Sequence, residues 1–181
     1  MRRYAIIDTE GANTGFLSPI ALEVSIMVMD EDLKPIFRRG YFIEESIRFL
    51  TSNATAFHGI TEHEVTHSHK TVSYTDVMQE LSALSSKIDV LVCANVGYDI
   101  SALENAGVYV PPIPTLDLCA DSRILEKFST YNEKRRSYDY LSVNNLYKSL
   151  FGRVPSESHR ASADVETEYE ILVELINRKV L

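Results

Sequence analysis

Within "TEHEVTHSHK", residues 61–70, His63-Glu64-Val65-Thr66-His67 sets two imidazoles one helical turn apart with a glutamate between them. A zinc-protease helix uses that spacing, with both histidines on the metal and the glutamate as general base. A second set of chemically capable residues is scattered. Asp8 and Glu10 sit two apart at the end of an apolar run. In a strand both carboxylates point to one face, where they repel each other and need a partner. Asp99 follows another apolar run in "LVCANVGYDISAL", and His159 precedes Asp164 by five residues in "SHRASADVETEYEIL". Each also has a plain structural reading. Asp8 and Glu10 read as solvated acids at a strand end, and His159 as a solvated loop residue. Asp99 and Asp164 read as acids in the first turn of a helix, where the helix dipole favours them.

The elements that must hold these residues follow from pattern. Residues 3–8 read as a strand ending in an acid. Residues 22–30 carry apolar side chains at 22, 24, 26 and 28, the period of a second strand. A turn at 31–35 leads to a third strand at 36–43, so an antiparallel meander is expected. Residues 72–87 have helical spacing, 90–94 form a short apolar strand, and 98–106 a helix closed by Gly107. A fifth strand is expected at 115–119 and helices at 120–128 and 138–150, the latter ended by Gly152 and Pro155. Val165, Tyr169, Leu172 and Ile176 mark the core face of a final helix. The expected fold class is α/β, a mixed five-stranded sheet flanked by helices, in one domain over residues 1–181.

With 181 residues and 45% hydrophobic content, the chain has enough apolar surface for a core. No apolar run approaches the roughly 20 residues of a membrane span, and no membrane partner is expected. The apolar run before Asp8 is too short for a signal peptide. Cys93 and Cys119 lie far apart, and Cys93 sits in an apolar run, so both are expected reduced in a cytoplasmic or nuclear setting. A net charge of −8 argues against gripping long nucleic acid by charge alone. It leaves nucleic-acid enzymes open, because divalent cations offset carboxylates locally.

Taken in order, D-x-E on the first strand, an aspartate behind N-x-x-Y, and H-x-x-x-x-D opening the last helix resemble the DEDDh 3′→5′ exonucleases. These form the proofreading-exonuclease branch of the ribonuclease H-like superfamily. Glu23, the segment His58-Gly59-Ile60-Thr61, Asn95 with Tyr98, and Asp117 in "TLDLCADSRIL" add to the resemblance across nearly the whole chain. The resemblance implies a nuclease that shortens single-stranded or frayed DNA or RNA from its 3′ end. It implies that Asp8, Glu10, Asp99 and Asp164 hold two Mg²⁺ or Mn²⁺ ions about 4 Å apart. It makes His159 the general base. It places Gly11, Ala12, His58, Asn95 and Tyr98 around the terminal nucleotide. It also allows a homodimer, although no stretch of the sequence marks an interface.

Two departures stand out. Ala94 occupies the place of a common family histidine, and Gly11-Ala12-Asn13-Thr14-Gly15 is a longer approach to the second glycine. In "YNEKRRSYDY", Lys134, Arg135 and Arg136 are interleaved with tyrosines, which reads equally as a phosphate-tracking surface or an exposed loop. A non-catalytic nucleic-acid-binding or polymerase-associated module of the same fold is the main alternative. The zinc-peptidase reading meets three obstacles. In residues 61–70 only Val65 is apolar, so no buried stripe exists. Thr61 and Glu64 form S/T-x-x-E, which gives Glu64 a capping task. A third ligand is required, and Asp76 and Glu80 fall on another expected helix.

Overall fold

The computed structural model describes residues 2–14, 18–156 and 159–181. Gly15 therefore lies outside the described residues. Three strands open the chain: β1 (Tyr4–Gly11), β2 (Ala21–Met29) and β3 (Pro35–Ile43). They pair antiparallel in sequence, the expected meander. The β2–β3 turn is closed by Asp30, whose Oδ1 accepts from the Asp32 and Lys34 amides. Every residue of β2 is buried, odd and even alike. Its period of two is real but hides nothing from a second layer, because both faces of this interior strand are covered.

A 3₁₀ turn at Glu44–Phe49 and two short helices, α1 (Ser52–His58) and α2 (Glu62–His67), follow. They cap one end of the sheet over a small core of Ala12, Leu22, Phe42, Ile60 and Val65. The two-residue strand β4 (Thr71–Val72) then pairs parallel to β3. It makes the sheet six-stranded rather than five-stranded, in the order β4-β3-β2-β1 followed by β5 (Val90–Cys93) and β6 (Thr115–Asp117). The expected helix at 72–87 is α3 (Tyr74–Ser85). It begins two residues late because Ser73 and Asp76 form a full capping box. Asn95 caps α4 (Val96–Asn105), which moves that start two residues early.

After α5 (Ser122–Phe128), a two-residue hairpin of β7 (Tyr131–Asn132) and β8 (Ser137–Tyr138) takes the place of the expected helix start at 138. Ser142 caps α6 (Val143–Phe151), and Gly152, at φ 71°, closes it in the left-handed conformation that suits glycine. The long α7 (Ala161–Asn177) ends the fold. One core lies between the sheet and α5–α7, with Ile6 from β1 in it. The other lies between the sheet and α3–α4, with Ala5 and Ile7. Alternation along β1 thus aims Asp8 and Glu10 at the α7 side and Thr9 at the α4 side. Cys93 is free and buried, as expected, and so is Cys119. No described helix is long and apolar enough to cross a membrane.

Candidate active site

At the end of β1 the alternation that builds the core runs out of apolar residues and presents acids instead. Asp8, Glu10 and Asp164 offer ligand oxygens that all lie within 4.8 Å of one another, the metal-capable cluster among the described residues. Asp164 reaches it from the first turn of α7. Asp99 lies outside that trio. It comes from α4 on the other face and is buried, and its Oδ1 accepts from the Thr9 amide (3.1 Å) and hydroxyl (2.8 Å). Asp99 therefore grips β1 at the residue between Asp8 and Glu10.

So many acids in so little solvent disfavour their own charge. Desolvation, then the charge of Asp164, Glu23 and Asp99, pushes Glu10 up to about 8. Burial pushes Asp99 up to about 7, against the Thr9 hydrogen bonds that favour its carboxylate. Asp8 is held well above the carboxylate range by desolvation and by Glu168, Asp99, Asp164 and Glu10. Asp164 is raised by burial and eased back by His159. Hard oxygens whose negative charge the protein itself leaves largely uncompensated, and so disfavours, are the donor set that a hard divalent cation stabilises in ionised form.

Two clefts meet at Asp8. One, of about 650 Å³, is lined by Glu10, Gly11, Asn95, Tyr98 and Asp99, with Phe57 and Tyr140 as exposed aromatic walls. The other, of about 290 Å³, is lined by His159, Asp164, Glu168, Ser142 and Val143. His159 is exposed, sits at φ 44°, and lays its ring 4.3 Å from that of Phe57. A positive φ is uncommon for a residue with a side chain and signals a locally constrained loop.

The glycine at position 11 has a steric reason. A Cβ there would meet the Tyr98 hydroxyl at 2.7 Å and the Asn13 carbonyl at 2.8 Å. Tyr98, whose phenol burial and Glu10 push up to about 12, thus lies against bare backbone. His58 is buried with Nδ1 accepting from the Ile60 amide, which leaves Nε2–H to donate to the Gly11 carbonyl at 3.1 Å. Burial lowers its basicity, consistent with a neutral ring. Both nitrogens are spent on backbone, so His58 acts on the cleft by holding Gly11. Ala12 is buried and its amide and carbonyl pair with Ile20 and Thr51, so Asn13 and Thr14 line the cleft in its place. Lys134, Arg135 and Arg136 sit at the β7–β8 turn and line neither cleft, and Arg135 pairs with Asp139.

The H-E-x-x-H segment has another role. His63 and His67 stack at 4.2 Å on the exposed side of α2. Thr61 accepts from the Glu64 amide, half of the expected capping box, but the Glu64 carboxylate turns to Arg160 Nη2 at 2.8 Å. Arg160 also donates to Glu23 from Nε and Nη2 at 3.3 Å. Glu23 in turn accepts from the Ala161 amide at 3.1 Å, capping α7 from β2, since the N-cap residue itself, Arg160, makes no side-chain capping bond. This triad fixes the start of the helix that carries Asp164. Arg160→Met leaves buried Glu23 without its cation. The expected cost is about 2 kcal/mol in urea unfolding, less than a fully enclosed pair because a third of Arg160 stays exposed. Lys34→Met, at an exposed pair, is expected within about 0.5 kcal/mol of wild type.

Reasoning from sequence missed Phe57, Arg160 and Glu168. Only Glu168 carried a local signal, its place one helical turn after Asp164.

No family model and no curated protein sequence matches the chain. Solved structures do. The zinc-bound E. coli exonuclease I–single-stranded DNA complex matches with TM-score 0.71 at 16% identity, over 99% of this chain and 41% of that one. The same enzyme with a dA16 oligonucleotide matches at 0.70 and 16%, over 99% and 42%. A 3′-exonuclease, from a structure of 3′-end specific recognition of a histone mRNA stem-loop, matches at 0.70 and 12%, over 98% and 82%. This chain spans about two fifths of the length of exonuclease I. The fold of this chain is that of E. coli exonuclease I and of this 3′-exonuclease.

Proposed function

We propose that this chain is a metal-dependent 3′→5′ exonuclease that releases nucleoside 5′-monophosphates from single-stranded or frayed 3′ ends. The observation that carries the reading is the Asp8–Glu10–Asp164 cluster, three sets of carboxylate oxygens within 4.8 Å at the junction of two clefts. With Asp99, these residues hold two Mg²⁺ or Mn²⁺ ions, which when bound neutralise phosphate charge and make water a nucleophile near neutral pH. His159, exposed beside Asp8 and Asp164, takes the proton from the attacking water through a ring nitrogen. Phe57 and Tyr140 stack the terminal base, and Tyr98, seated against the bare backbone at Gly11, walls the same cleft. Lys134, Arg135 and Arg136 contact phosphates of the strand beyond the clefts, which offsets the acidic surface locally.

The neighbours of this fold bind single-stranded DNA or an RNA stem-loop, so both sugars belong in the test. Matched 5′-labelled DNA and RNA single strands, incubated with Mg²⁺, Mn²⁺ or EDTA, are expected to yield ladders shortening from the 3′ end in metal only. No cleavage of either strand by the metal-loaded protein sinks the proposal.

A further inference from the structure

The acidic face of α7 contains one residue that its neighbours do not explain. Glu166 pairs with Arg38, and Glu170 accepts from Tyr147. Glu168 points the other way and is 1% exposed. Its Oε1 accepts from the Ala94 amide at 3.2 Å, at the position where this chain departs from the family histidine. Its Oε2 is buried and has no hydrogen-bond partner among the described residues. The side chain lines the cleft shared by Asp8, His159 and Asp164.

A structural acceptor for one amide needs one oxygen. Glutamine or a shorter polar residue supplies it without enclosing a second, unsatisfied carboxylate oxygen, whose desolvation costs free energy. A lone oxygen of this kind, on a residue that lines the cleft holding Asp8 and Asp164, is explained by a cation. We propose that Glu168 is a fifth cation-holding carboxylate, its Oε2 supplying an oxygen to a divalent ion on the His159 side of Asp8. The inference rests on the exonuclease reading only in requiring that such an ion binds. It adds a ligand from the second turn of α7 to the one from the first, so that a single helix holds the ion at two points and Ala94 fixes the rotamer.

The test is Mn²⁺ binding to the whole chain by calorimetry and electron paramagnetic resonance, without nucleic acid. Glu168→Gln preserves shape and the Ala94 bond but removes the charge. It is expected to weaken Mn²⁺ binding by about 10- to 100-fold, the range for a group that orients or completes a metal site. Glu168→Asp retains the charge and is expected to recover part of that loss, which a purely structural acceptor does not predict. Melting in EDTA checks that each variant folds, and Glu166→Gln on the same helix is expected to bind as wild type does. Wild-type affinity in both Glu168 variants overturns the inference. Absence of Mn²⁺ binding in wild type overturns it together with the exonuclease reading. Glu168-dependent binding without any cleavage leaves the ion site standing and removes the enzyme alone.

Discussion

Asp8→Asn is expected to abolish cleavage and, in EDTA, to raise the melting temperature. Asp8 is the residue common to both clefts and to the carboxylate trio. Removing one ligand from a site that stabilises transferred phosphate charge costs several kcal/mol in the transition state. About 4 kcal/mol corresponds to a loss on the order of 10³-fold in kcat. The stability effect has the opposite sign. Asp8 is held well above the carboxylate range by desolvation and four neighbouring acids. A neutral amide of the same shape relieves that repulsion, and each kcal/mol gained is worth about 2–4 °C in a domain of this size. Saturating Mn²⁺ reverses the order, because wild type binds the ion more tightly and is stabilised by mass action. Activity assays and paired melts measure both halves. An Asp8→Asn protein that cleaves normally, or one that unfolds more readily in EDTA, would show Asp8 to be a structural acid.

How far such a site can be read without coordinates depends on whether its residues are joined by local geometry. Asp8 and Glu10 were legible because a strand repeats every two residues, and Asp164 because it falls in the first turn of a strongly patterned helix. The meander was legible for the same reason, as its turn carries its own acceptor in Asp30. β4 was not, since two residues show no period. Glu168 sits in a run of alternating acids, and only contact with Ala94, 74 positions away, separates it from its solvated neighbours. Glu64 has the spacing of a capping residue, yet the carboxylate goes to Arg160 across 96 positions, where a full charge competes with a backbone amide. The zinc-helix spacing at His63 and His67 has a local explanation of the same kind. It is a short exposed helix whose glutamate ties down the helix bearing Asp164.

In EDTA, stability is expected to fall as pH rises from about 6.5 to about 8. Glu10 titrates at about 8 in the folded chain against 4.5 when unperturbed, and Asp99 at about 7 against 3.8. Across that interval the folded state holds protons that the unfolded state has released. A raised acid of this kind contributes stability that is complete below the unfolded value and lost through the folded one. Below about 6.5, His58 works against the trend. Burial lowers its basicity from 6.5, so acid favours the unfolded chain, and the decline is cleanest above that value. A tenfold difference in proton affinity between the folded and unfolded chain is worth about 1.4 kcal/mol, so the two carboxyls together give a fall of several kcal/mol at most. With saturating Mn²⁺ the decline is expected to flatten, because the ion-bound folded chain has released the same protons that the unfolded chain has. Urea midpoints across pH 5–9, with and without Mn²⁺, give two curves that diverge with pH. A flat or rising curve in EDTA above pH 6.5 means that the carboxylates are ionised without an ion, and that the cluster is balanced by the protein rather than built for a cation.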